Sequence, residues 1–438
     1  MITEEPTFEG FTFNHRSHDV RAYTLDANGL RVLLLPQRLA PVATFMITYR
    51  VGSRNERTGE TGATHFLEHM MFKGTVDHNK DTGSTVFQRL QSLGAQVNAT
   101  TWNDRTNYYG MLPAEHLHEA VSIEADRMRG LRLHPDDVAS EKTVILNEFD
   151  RGENEPYRKL YHAVWSAAYE AHTYHHPTIG WRSDIEDTTA ESLRSFYDRF
   201  YWPDNATVSV IGGFDEAAVM ACIRKEFGDI PRAPHAIPDV AIREPEQKGE
   251  RRLTIRMAGD IPAILMAWKA PSALDPSTMG LHMASMVLSH GRTSRLYRRL
   301  VQTGMCTSIG ASMSSFRDPG LFTVFALVRP DADPDTIEQA IMDEMRALAT
   351  NPITEQERKR ALAALEADTA FSRDGSFGTA SALNEAIAAG DWTLFTTFLE
   401  RANAATDDDI QRAVASVYQS DRMTTGRFVP IEAAVPVP

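Results

Sequence analysis

From Thr61 to Thr75 the chain reads TGATHFLEHMMFKGT, and Phe66, Leu67, Met70 and Met71 fall at the three-to-four spacing of a helix with one apolar face. A second helix is expected from His134 to Glu155 (HPDDVASEKTVILNEFDRGENE). Pro135 suits the first helical position, Asp136 and Asp137 suit the positive first turn, and Val144, Ile145 and Phe149 form an apolar stripe. Between the two, Ala95 to Thr101 reads as a short strand, followed by a turn at Asn103-Asp104 and a second strand running to Met111.

The pattern also repeats. A helix from Thr189 to Tyr201 leading into a strand from Ala206 to Ile211 is echoed by Thr406 to Tyr418 leading into Met423 to Val429, an offset of 217 residues. Gly74, read as closing the first helix, has Gly291 at the same offset. Between the halves, Pro231 to Glu250 (PRAPHAIPDVAIREPEQKGE) is rich in proline and charge and reads as a linker. The expected organisation is two duplicated α+β domains, 1–230 and 251–438, joined by 231–250.

At 438 residues the chain exceeds what one core organises, in agreement with two domains. An apolar content of 42% with mixed charge is that of a globular protein, and no uninterrupted apolar run reaches the length of a membrane span. The net charge of −14 argues against nucleic acid as a partner, because phosphate binding needs clustered Lys and Arg. Cys222 and Cys306 have no metal or redox spacing. The N-terminal MITEEPTFEGFTFNHRSHD has no basic start followed by an apolar stretch, so a cytoplasmic location is the simplest expectation, periplasmic if a leader has been removed.

The candidate chemistry lies in His65-Phe66-Leu67-Glu68-His69. Histidines four apart on a helix project from one face, where both imidazoles can hold a single zinc ion. Zinc lowers the pKa of its water to about 7, so a carboxylate beside it, here Glu68, can take the proton. H-x-x-E-H is the mirror of H-E-x-x-H and marks the inverted zincins. An amphipathic helix with two incidental histidines is the competing reading. A hydrolytic zinc takes three protein ligands. Glu141 and Glu148, seven apart on one face of the second helix, are costly to bury without a cation and are both ligand candidates.

At this point the chain resembles the pitrilysin/insulinase family of zinc metallopeptidases, close in size and layout to its mitochondrial-processing-peptidase-like branch. The resemblance rests on HFLEHMMFKGT (His65 to Thr75), GAQVNATTWNDRTNYY (Gly94 to Tyr109), SEKTVILNEFDR (Ser140 to Arg151) and FYWPDNATVSVIGGFD (Phe200 to Asp215). It implies one zinc on His65, His69 and Glu148, with Glu68 as general base and Glu141 supporting a ligand. It implies two α/β-sandwich domains, each a mixed sheet with helices packed on it, forming a clamshell that encloses a peptide. It also implies that the strand carrying Asn98, Ala99 and Thr100 is a sheet edge to which substrate adds as an extra strand. The interval from His69 to Glu148 is slightly longer than the family's, which the polar insert Val76 to Ser84 accounts for.

The second half departs from this pattern. At the repeat offset His65, Glu68 and His69 become His282, Ser285 and Met286, so one metal per chain is expected, with His282 a packed helix residue. The family's second halves usually supply an Arg and a Tyr seven residues apart. Here Val301 and Thr307 fall at those places, and Tyr297, Arg298 and Arg299 nearby suit a solvated helix face. The resemblance therefore implies a metal-bearing subunit completed by a homologous partner chain with the Arg/Tyr pair, as a heterodimer. The alternatives are a non-catalytic assembly subunit and a self-sufficient homodimer. The histidine-rich loop Ala171 to Pro177 (AHTYHHP) has no carboxylate or Cys at ligand spacing and reads as a structural connection.

Overall fold

The computed structural model describes residues 5–37, 40–419 and 421–431, so the outer ends of the two expected domains, 1–4 and 432–438, lie outside the described residues. Among the described residues twelve strands form two sheets. The first contains β1 (Phe11–Ser17), β2 (Val20–Leu25), β3 (Arg31–Pro36), β4 (Val42–Tyr49), β5 (Gln96–Thr101), β6 (Thr106–Pro113) and β7 (Ala206–Gly212), in the order β1-β2-β3-β7-β4-β6-β5. The second contains β8 (Arg251–Ala258), β9 (Ala263–Lys269), β10 (Cys306–Met313), β11 (Leu321–Val328) and β12 (Met423–Ile431), in the order β10-β11-β9-β12-β8.

The repeat in the sequence becomes a repeat in topology. Read from β3, the first sheet runs β3-β7-β4-β6-β5, and read from β8 the second runs β8-β12-β9-β11-β10. In both, the first pair is parallel and the other three are antiparallel. Register agrees as well: Thr207 pairs with Arg31, and Thr424, one repeat later, pairs with Arg251. The helices feeding β7 and β12 begin alike, with reciprocal caps of Thr189 with Ser192 and of Thr406 with Asp409. The linker 231–250 contains no helix or strand.

The chain resolves into two compact units, and neither is contiguous. The first comprises 1–147, 177–241 and 371–396, and the second comprises 148–176, 242–370 and 397–438. In the first unit, the Gly375–Ala389 helix lays Ala380, Leu383, Ala386 and Ile387 against Leu33, Met46 and Ile211 of the sheet. In the second, the Pro156–Ala168 helix lays Leu160 and Val164 against Leu265, Ala267 and Phe428. One face of each sheet is thus covered by a helix from the opposite half of the chain. The apolar alternation of a half-buried sheet demands such a cover but does not say which segment provides it. Among the described residues no helix is long and apolar enough to cross a membrane, and Cys222 and Cys306 are both free thiols.

Candidate metal centre

The motif forms a short helix, Ala63–Met70. Phe66, Leu67 and Met70 are buried, while His65, Glu68 and His69 share its partly open side. The helix ends at Met70, earlier than Gly74 suggested. A tight turn follows, in which Phe72 N–H donates to His69 and Lys73 N–H to Met70. The second helix runs Pro135–Glu153, with Ile145 buried. Val144 does not join the expected apolar stripe, being 47% exposed. At about 100° per residue Val144 and Ile145 flank the Glu141/Glu148 face on opposite sides, and only the Ile145 side is buried.

The structure brings His65, His69 and Glu148 together: one ligand atom from each lies within 4.8 Å of the other two. Among the described residues this is the one group of three metal-capable side chains. The division between the two units falls at 147/148, inside the continuous Pro135–Glu153 helix, which carries Glu148 two turns beyond Glu141. The donor set suits zinc, which takes imidazole nitrogens and a carboxylate oxygen at about 2.0–2.2 Å, hence roughly 3.4 Å from one another.

Glu141 is buried beside the group. Its Oε1 lies 2.8 Å from His69 Nδ1, and its Oε2 is paired with Lys73. The His69 hydrogen bond, aided by Lys73, holds Glu141 below the usual carboxylate range against the pull of burial. An ionised Glu141 can only accept, so Nδ1 is the donor and Nε2 keeps the lone pair that a metal requires. Glu68 Oε2 accepts the hydroxyl of Thr101, the last residue of β5. Sequence reading gave no role to Lys73 or Thr101, although both lie within the quoted motifs. Alternation along β5 was the available signal for Thr101, which shares the face of Ala99.

β5 is the edge strand of its sheet. Trp102 N–H donates to Arg105 across the hairpin, in the register that pairs Thr100 with Asn107 and Asn98 with Tyr109. Antiparallel ladders alternate, so the backbone groups of Val97, Ala99 and Thr101 point outward. Asn98 and Thr100 are exposed on the other face. Asn98 Oδ1 accepts Ala99 N–H at 2.9 Å, and Thr100 accepts Arg105 through its carbonyl at 3.1 Å.

Among the described residues the equivalent helix of the second unit, Thr278–Ser289, takes part in no such group. His282 Nε2 sits 2.9 Å from Ser315 Oγ, its ring lies against Phe398, and burial lowers its pKa to about 4. Val301 closes a π-helical turn, Tyr297–Val301, and packs on the core, while Thr307 is exposed on β10. Arg299, expected on a solvated face, is part-exposed and ion-paired with Asp343 at 2.7 Å and Glu344 at 3.1 Å. In the histidine-rich loop, His172 is buried with Nε2 2.9 Å from Asp318 and Nδ1 accepting Tyr174 N–H at 3.2 Å.

This fold recurs in known proteins. Residues 31–181 match the model described as Insulinase (Peptidase family M16), and residues 187–365 match the Peptidase M16 inactive domain. The chain belongs to this family of peptidases. It is 27% identical over 407 residues to the zinc protease PqqE of Helicobacter pylori, spanning 92% of this chain and 91% of that protein. It is 24% identical over 416 residues to a probable mitochondrial-processing peptidase subunit beta of Arabidopsis thaliana, spanning 92% and 77%. The crystal structure of a protease from Helicobacter pylori superposes with a TM-score of 0.88 at 25% identity, covering 94% of this chain and 99% of that one.

Proposed function

We propose that this chain is a zinc-dependent endopeptidase acting on peptides or unfolded segments. The observation that carries the reading is the convergence of His65, His69 and Glu148 around one point, with Glu68 on the same helix face. A zinc ion held by these three would supply Lewis acidity, acidifying a water and polarising the peptide carbonyl. Glu68 takes the proton of the attacking water and returns it to the leaving amine, and Thr101 fixes the rotamer from which it does so. Glu141 fixes the tautomer and tilt of His69. The outward backbone groups of β5 receive the substrate as an added strand, with Asn98, Ala99 and Thr100 lining its path. Such pairing requires an extended chain, which selects unfolded segments over folded ones. The names of the relatives, zinc protease and processing peptidase, support the same reading.

A second element concerns a partner. Neither Val301 nor Thr307 can offer a developing oxyanion the charge-assisted bond of an Arg or the phenol of a Tyr, and losing such a donor costs on the order of 10²–10³ in rate. We infer that a homologous second chain bearing an Arg/Tyr pair completes the enzyme. The test is cleavage of a quenched fluorescent peptide by the chain alone and with that partner, each with and without chelator. Chelator-sensitive activity confined to the mixture supports both statements. Equal activity alone removes the partner, and absence of chelator-sensitive activity under every condition removes the peptidase.

A further inference from the structure

The metal-motif helix has eight residues, fewer than the roughly 12–15 that hold together unaided in water. It also starts without an ordinary cap. Its N-cap residue is Gly62, in the left-handed region at φ 85°, and has no side chain to accept the first free N–H groups. A Cβ at this position would lie 2.4 Å from the carbonyl oxygen of Ile179, so no serine or aspartate can replace the glycine.

The missing cap comes from outside the helix. Glu56, following the turn Ser53–Asn55, is 1% exposed, and its two oxygens accept the backbone N–H groups of Gly62 (Oε2) and Thr64 (Oε1), each at 2.8 Å. Asp184 secures the approach to the helix, accepting Thr61 N–H at 3.0 Å and its hydroxyl at 2.7 Å. Burial pushes the Glu56 carboxyl up to about 8, opposed by its hydrogen bonds with Thr64 and Gly62. Water cannot reach this position to take over the two donors. Thr64 directly precedes His65, so the N–H held by Glu56 is one residue from a metal-capable imidazole.

We propose that Glu56 is a positioning residue for the metal centre: its buried carboxyl group caps the His65–His69 helix from outside and holds both imidazoles in register with Glu148. This rests on the peptidase reading of that centre. The role is separate from that of Glu141, which acts on one imidazole at the helix's other end. Without Glu56 the first turn frays, and the two histidines lose their shared orientation while the rest of the unit stays folded.

The test compares wild type with Glu56→Gln, Glu56→Asp and, as a control, Asp215→Ala, which removes an ordinary cap from the Glu216–Phe227 helix. Zinc affinity by chelator competition and amide exchange of Gly62 and Thr64 without metal are measured on folded protein. Losing a support of this kind weakens metal binding by about 10–100-fold. That loss, with faster exchange at the two amides, is expected for both Glu56 variants and not for Asp215→Ala. Unchanged zinc affinity in both Glu56 variants overturns the proposal and leaves the peptidase reading standing. A wild type that takes up no zinc overturns both.

Discussion

His69 Nδ1 lies 2.8 Å from Glu141 Oε1, and Lys73 closes on the other oxygen of the same carboxylate. The pairing makes His69 a one-sided base whose remaining lone pair is left for a metal shared with His65 and Glu148. Replacing Glu141 by Gln keeps an acceptor but removes the charge. Zinc affinity is expected to fall by about 10–100-fold, and more than in a Lys73→Met variant. Competition against a chromogenic chelator measures both.

Glu68→Gln separates chemistry from metal binding. Glu68 lies between the two histidines in sequence but is not among the three converging ligands. The variant is expected to keep its zinc and to lose activity by about 10²–10⁴-fold, the range of a positioned base. Zinc content by elemental analysis, beside turnover of a fluorogenic peptide, gives both numbers.

Thr101→Val removes a hydroxyl without changing shape. The Glu68 carboxylate then loses the donor that sets its rotamer. A fall in kcat of about 10- to 100-fold, with KM and zinc content near wild type, is expected because the lost hydrogen bond, worth about 1.5–3 kcal/mol to a charged group, acts on the base and not on substrate pairing. Steady-state kinetics over a range of peptide concentrations separate the two constants.

Strand addition at β5 predicts a dependence on the peptide's backbone. Methylating a single substrate N–H that pairs with Val97, Ala99 or Thr101 should raise KM at least several-fold. Methylating the next N–H along, which points away from the edge, should change it little. A scan of singly N-methylated peptides should therefore alternate with a period of two residues.

Acid stability should be set in part by two histidines of the second unit. Burial lowers both His282 and His162 from 6.5 to about 4. The folded chain prefers each ring neutral, whereas the unfolded chain accepts the proton near 6.5. The stability they contribute is complete above that value and is lost as pH falls from about 6.5 toward 4. The urea midpoint should drop across this window, and the drop should shrink in His282→Leu and His162→Phe. An unchanged slope in both variants would assign the acid sensitivity elsewhere.

Much of this was legible in the chain. The motif helix, the Glu141/Glu148 face and the β5–β6 hairpin follow from local periodicity, and the matching caps at Thr189 and Thr406 explain why the repeat could be seen at all. Val144 was misjudged because an apolar residue beside a buried face looks the same in sequence as one within it. Glu56 could not be found by pattern, since its partners are backbone N–H groups, which leave no trace in residue identity. The helices that cover the sheets were equally hidden: amphipathic spacing shows that a helix buries one face, not which sheet receives it.

The crossed helices have a consequence for how such a chain came to exist. The Pro156–Ala168 helix of the first half covers the second sheet, and the Gly375–Ala389 helix of the second half covers the first. A half-length ancestor with this topology would leave its own sheet bare on one side and could be complete only by trading helices with a twin. Fusion of two such copies would turn an exchange between molecules into an exchange within one. Severing the present chain anywhere in 231–250 should therefore yield two fragments that remain unfolded apart and recover a native circular dichroism spectrum only when mixed.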